Sequence, residues 1–334
     1  MSSRRANAVL FGFDFQVNAA IMLMLENMAD LESLRLESNY EDIDLTLADG
    51  RHVLAQAKAV ENSSSDFRNV RSNLKKALES LSEGSKGIDT KQLILITNSP
   101  NPFNDDASRS IFWGPSKRTF SSLPLSAQQI VNGYLENIED PLDANNFSVH
   151  VFPFETDDDD ERYKAVLWAI DNFIGNLNIN IPGLTTRLME VWHYKIFTNG
   201  TKKNAAINLD KKSIIWPIMV ITTDIEKCDE DFLNEFDPAA YEEIVRHYRA
   251  TIDDCCERIE FFSKVLSDFL GFQTTKRGRD RFMEFVNQRW REYYQDFSVD
   301  GIDPETQEGL TKVVLYNIIR RRFTIDKIKR GVNL

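Results

Sequence analysis

The chain has 334 residues, with 40 basic and 52 acidic side chains, a net charge of −12 and 42% hydrophobic residues. This length suits two domains or one large one, and the apolar fraction supplies packed cores, which excludes a disordered chain. So acidic a balance argues against a protein that coats DNA through charge alone, because such binding draws on Lys and Arg neutralising phosphates.

Met1 to Asn7 carries two arginines but leads into Phe11-Gly12-Phe13-Asp14 with no long apolar core or small-residue cleavage site, so no secretory signal is expected. From Asp14 to Met28, Phe15, Ala19, Met22, Leu23 and Leu25 recur at helical steps, which predicts a helix with Asp14 near its start. Three short segments follow: Leu34 to Glu37, Asp42 to Leu47 and His52 to Lys58. They read as strands, and Asp49-Gly50 between the last two signals a tight hairpin. Phe67, Val70, Leu74, Leu78 and Leu81 predict a helix over 66–81, and the apolar run Leu93 to Thr97 predicts a strand buried on both faces. Residues 100–125 read as loop. A helix at 126–138, a strand at 147–153 and a helix at 159–175 complete this half. Asp157 to Glu161 precedes the last helix and reads as N-terminal capping by the dipole rather than as a cation loop.

After Asn176 to Pro182 the strand pattern fades, and helices are expected at 184–197, 241–270, 279–294 and 306–320. Ile214 to Thr223 is open between strand and buried helix. The longest apolar stretch, Ile214 to Ile221, is broken by Pro217 and falls short of the roughly 18 to 20 residues that span a bilayer, so a cytoplasmic protein without membrane segments is expected. Cys228, Cys255 and Cys256 have no CxxC spacing or histidine partners, which argues against a disulfide framework or structural zinc and for core positions. The expected organisation is an α/β (α+β) domain over 1–178, a mixed sheet flanked by helices, and a mainly helical docking or oligomerisation domain over 179–334. Charge divides similarly: residues 1–180 hold 16 basic and 27 acidic side chains, whereas 181–334 hold 24 and 25.

The chemistry-bearing residues lie between Gln16 and Lys58. Alternation places Asp42, Asp44 and Thr46 on one side of their strand, and Gln56 and Lys58 share a side of the next. The hairpin makes those strands neighbours, so an acid, an amide oxygen and an ammonium converge. Phosphodiester hydrolysis uses such a set, because Mg²⁺ takes oxygen ligands from one or two carboxylates. Asp44 and Gln56 can supply them, with Glu37 completing the site and Asp42 a further ligand one pleat away. Lys58 would orient the attacking water and offset charge at phosphorus.

The ordered set Gly12-Phe13-Asp14-Phe15-Gln16, Glu37, Glu41-Asp42-Ile43-Asp44 and Gln56-Ala57-Lys58, followed by helix and buried strand, resembles the PD-(D/E)XK nucleases in the variant with Gln in the last motif. More narrowly it looks like the double-stranded-DNA endonuclease effectors of bacterial antiphage systems, of the CD-NTase-associated and Lamassu types, the latter favoured. The resemblance covers residues 8–100 and fades towards 175. It implies a restriction-endonuclease-like fold, Mg²⁺ or Mn²⁺ as cofactor, Asp44 as metal-binding aspartate with Asp42 in competition, Gln56 as second motif position and Lys58 as catalytic lysine. Glu37 becomes an auxiliary acid and Gln16 a first-helix residue facing the site. Implied partners are duplex DNA, an SMC-like coiled-coil ATPase and a small accessory subunit, with self-assembly on activation. Lys117 and Arg118, and Lys276, Arg277 and Arg279, are candidate phosphate contacts; Arg281 and Arg320 to Arg322 belong to the same basic clusters. A nuclease fold that has lost catalysis and serves for docking is the rival expectation.

Overall fold

The alternating segments become an antiparallel meander of β1 (Leu31–Leu36), β2 (Ile43–Leu47) and β3 (His52–Lys58). The Asp49-Gly50 turn closes the second hairpin, with Gly50 at φ +83°, a left-handed conformation that suits glycine. The polypeptide then crosses through α2 (Val70–Gly84) to β4 (Thr90–Thr97), which runs parallel to β3. Strand β6 (Phe147–Val151) adds parallel to β4, and β5 (Ser116–Thr119) pairs antiparallel on its outer edge. The sheet is completed at the other edge by β7 (Leu209–Asp210), giving the order β5-β6-β4-β3-β2-β1-β7. The computed structural model describes residues 2–155, 157–223, 242–248, 259–297 and 302–334.

Each face of the sheet is covered because both present apolar side chains. On one face Leu54, Leu93, Leu95, Phe147 and Val149 pack with Leu74, Leu78 and Leu81 of α2 and with Ala127 and Val131 of α4 (Leu125–Leu135). On the other lies α1 (Ser2–Glu26), where Phe15 stacks on Phe152 at 4.8 Å between ring centroids. Each fully buried Leu or Phe is worth roughly 1.5–3 kcal/mol of transfer free energy, so this double-sided burial is what fixes the sheet. The helix α1 begins well before Asp14, which sits mid-helix. Its residues Ala6–Glu26, with a mean hydropathy of 1.7, are long and apolar enough to cross a membrane, contrary to expectation. More than half of that stretch is buried in the protein, and packing against the sheet accounts for its apolarity.

The chain divides into two compact units, Met1–Asn176 with Thr185–Lys211, and Leu177–Leu184 with Lys212–Leu334. The helix expected at 184–197, here α7 (Leu184–Gly200), therefore folds for the most part with the sheet rather than with the helical half. It is tied there by Arg35 of β1, only 3% exposed, whose guanidinium donates to the carbonyls of Asn199, Lys202 and Ile207 at 2.7, 2.8 and 3.1 Å. Asn199 in turn accepts from Leu36 N–H at 3.0 Å and takes the place of a strand partner. The helix expected at 159–175 is broken into α5 (Asp159–Arg162) and α6 (Lys164–Asn176). As expected of the acidic run, Asp158 caps α5 by accepting from Asp160 and Glu161 N–H.

The second unit is helical at Lys211–Thr222, Ile259–Gly271, Gly278–Tyr293, Pro304–Arg320 and Arg322–Gly331, and over 242–248. Ile214 to Thr222 resolves as buried helix despite Pro217. Cys228, Cys255 and Cys256 lie outside the described residues, as does part of the helix expected at 241–270.

Candidate functional site

The site forms where β1 and β3 end and β2 begins. Pairing of Ile43 with Ala55 and Asp44 with Leu54 sets the register, so the next residues outward, Asp42 and Gln56, stand opposite each other. The Gln56 amide donates to Asp42 Oδ2, and Ala57 N–H donates to the same oxygen at 2.9 Å. From α1, Gln16 Nε2 donates to Glu37 Oε1 at 2.8 Å and to the Asp42 carbonyl at 3.1 Å. Gln16 thus braces the two acids that the sequence separates by a loop. Its own burial, 7% exposed, keeps that brace out of competition with water.

Glu37 has φ +53°, the left-handed region that an L-residue with a long side chain seldom adopts. Such a conformation costs of order 1 kcal/mol or more and persists only where surrounding contacts hold it. Those contacts are present: Glu37 N–H donates to the Asp42 carbonyl at 2.8 Å, and the preceding Leu36 N–H is held by Asn199.

Burial pushes the Asp42 carboxyl upward, opposed mainly by the charge of Lys58 and by the Ala57 N–H. Lys58, half-buried at the end of β3, has no carboxylate within ion-pair distance among the described residues. Beside them is Glu41, which the motif contains but to which it assigns no role. It is 5% exposed, and neither carboxylate oxygen has a hydrogen-bond partner. Burial raises it to about 7; the nearby Ser80 hydroxyl opposes this, although no bond of normal geometry reaches either oxygen.

Asp44 lies one residue pair deeper and is engaged elsewhere. Its Oδ1 is 2.8 Å from His52 Nδ1, and burial raises its carboxyl while that bond to His52 opposes the shift. The geometry therefore gathers Gln16, Glu37, Asp42, Gln56 and Lys58, with Asp42 rather than Asp44 opposite Gln56. The residue identities alone left that register open.

A divalent cation can be tested against the donors present. Asp42 Oδ2 is taken by two N–H groups, which leaves Oδ1. Glu37 Oε1 is taken by Gln16, which leaves Oε2. Because Gln56 must turn its NH₂ to the carboxylate, its carbonyl oxygen is the free end. Two carboxylate oxygens and one amide oxygen are hard ligands of the kind Mg²⁺ prefers, so the set fits. Among the described residues no three His, Cys, Asp or Glu side chains form a metal-holding group by themselves.

The basic candidates fall elsewhere. Lys117 and Arg118 are on edge strand β5, and Lys117 pairs with Glu26 at 2.5 Å. Lys117 lies opposite His150, on the face away from Gln56 and Lys58. Lys276, Arg277 and Arg279 are exposed around the start of the Gly278–Tyr293 helix in the second unit, with Lys276 4.0 Å from Glu284. Arg281 instead donates to the carbonyls of Phe269, Leu270 and Phe272, and Arg322 lies over the rings of Phe269, Phe282 and Phe323. These two arginines are engaged in holding helices together. No family model matches the chain, and neither does any curated protein or solved structure.

Proposed function

We propose that the chain is a metal-dependent endonuclease that hydrolyses phosphodiester bonds of double-stranded DNA. The observation that carries this reading is the convergence of Glu37, Asp42, Gln56 and Lys58 where β1 and β3 end and β2 begins, braced by Gln16. Bound there, Mg²⁺ or Mn²⁺ would polarise a phosphoryl oxygen and lower the pKa of an attacking water. The protein's own part is to hold the ligands still. Ala57 N–H and the Gln56 amide fix one oxygen of Asp42 and leave the other for a ligand, and Gln16 does the same for Glu37. The Lys58 ammonium, with no carboxylate within ion-pair distance among the described residues, is left to orient the water and to offset the charge that grows on the phosphorus oxygens.

The resemblance of Gln16, Glu37, Asp42 and Gln56-x-Lys58 to antiphage effectors supports a role as nuclease subunit of a defence complex. An SMC-like ATPase and a small accessory subunit would restrain it, with release and self-assembly as the trigger. The test is cleavage of duplex DNA by purified protein with Mg²⁺, set beside single-stranded DNA and RNA. Asp42→Ala and Lys58→Ala are expected to abolish cleavage with folding intact. Full cleavage by both variants would sink the proposal. A chain that cleaves nothing in any oligomeric state yet binds partner proteins would favour a docking role.

A further inference from the structure

We infer that Arg71, Lys75 and Arg109 form a lip that holds the phosphate backbone of a nucleic-acid duplex against the candidate site; the inference rests on the nuclease reading above. Strands β3 and β4 are parallel, with Lys58 opposite Thr97, so the segments that follow both strands leave the sheet at the edge where Lys58 stands. The first segment carries Phe67 and enters α2 at Val70; the second carries α3 (Asp106–Arg109). Two contacts tie these segments together. Arg71 Nη2 reaches the Asn104 carbonyl at 3.4 Å, and the Arg109 guanidinium lies 5.6 Å from the centre of the Phe67 ring.

The charge is concentrated there. Residues 67–76 hold four of the 16 basic side chains found in residues 1–180 and no acid, with Asp66 just before them and Asp105 and Asp106 beside Arg109 on the second segment. Arg68 is neutralised by a two-pronged pair with Asp66, at 2.6 and 3.0 Å. Neither Arg71 nor Arg109 has a carboxylate within ion-pair distance among the described residues, although the charge of Arg71 is felt by Asp105 on the second segment. Lys75, one turn after Arg71 on the same flank of α2, has only an exposed i,i+4 contact to Glu79 at 3.7 Å, a pair worth little in water. Stacking on Phe67 restricts Arg109 before any ligand arrives, so less entropy is lost when its planar fork meets a phosphate. A chain of net charge −12 needs such a local concentration of cations to bring a polyanion to one edge.

The test is binding of a short fluorescent DNA duplex by the full chain in EDTA, where no metal-dependent cleavage proceeds, across a sodium chloride series. The triple variant Arg71→Ala/Lys75→Ala/Arg109→Ala should lose about tenfold or more in affinity and flatten the log K against log salt slope by about 2 to 3. The charge-keeping triple Arg71→Lys/Lys75→Arg/Arg109→Lys should retain most of both. Lys75→Glu, at an exposed position that makes neither of the two contacts tying the segments together, checks the same surface should the alanine triple fold poorly. Unchanged affinity and slope in the alanine triple and in Lys75→Glu would overturn the inference, as would absence of duplex binding by the parent chain. Cleavage with Mg²⁺ is read in parallel. Cleavage by the parent with unaltered binding in the variants refutes the lip and leaves the nuclease standing, whereas weakened variant binding without any parent cleavage does the reverse.

Discussion

Replacing Glu41 by Gln should make the protein more stable at neutral pH and remove a pH dependence that the parent shows. In the folded protein burial raises this carboxyl from 4.5 to about 7, since it is out of water and no hydrogen bond of normal geometry reaches it among the described residues. Below about 4.5 it is protonated in folded and unfolded chains alike and costs nothing. As pH rises the unfolded chain ionises first, so stability drains away until the folded group ionises at about 7. A shift of about 2.5 units corresponds to about 3 kcal/mol, which Glu41→Gln would not lose. With a urea m-value of about 2–3 kcal/mol/M, the variant's midpoint should gain about 1 M on the parent between pH 4.5 and 8. Urea unfolding in metal-free buffer followed by circular dichroism measures this. A midpoint difference that stays constant over that range would refute the argument that Glu41 is buried and unpaired.

Four further substitutions separate the roles assigned above. Asp44→Asn should leave Mg²⁺-dependent cleavage within a few-fold of the parent, since Asp44 serves His52, whereas Asp42→Asn should abolish it; equal loss in both would return Asp44 to the metal centre. Gly84→Ala would place a Cβ 2.2 Å from the Tyr40 carbonyl oxygen, so it should cost about 1–3 kcal/mol in urea unfolding and lower cleavage by displacing the loop that carries Asp42. Arg35→Met should destabilise the sheet unit by about 2–5 kcal/mol by stranding the carbonyls of Asn199, Lys202 and Ile207, read as earlier proteolysis between 201 and 208.

Much of the first unit was legible because β2 and β3 alternate, the turn between them carries Asp-Gly, and β4 holds a short continuous apolar run. The segment His52 to Lys58 emerges with the bounds expected for it. What the alternation could not convey was pairing depth: Asp42 and Asp44 share a side, and only register shows that Asp42 meets Gln56 while Asp44 meets His52. The left-handed turn at Glu37 is invisible to periodicity. Strand β5, Ser-Lys-Arg-Thr, has no apolar alternation, and β7 is two residues long, so both depend on neighbours rather than on local preference. The Phe67 and Arg109 contact joins residues far apart in sequence, so local composition marks the clusters at 276–281 and 320–322 but not the grouping of Arg71, Lys75 and Arg109.

The clamp of Arg35 and Asn199 on β1 bears on how the protein can be cut. A fragment ending at residue 178 looks natural by sequence, yet it would leave β1 as a bare edge strand. Its Leu36 N–H would lose Asn199, and Arg35 would face nothing in place of three carbonyls. Open edges of this kind recruit other chains, so such a fragment should aggregate rather than simply weaken. Residues 185–211 are thus an interleaved part of the sheet unit, and the polypeptide leaves it at Asn176 and returns before departing for good.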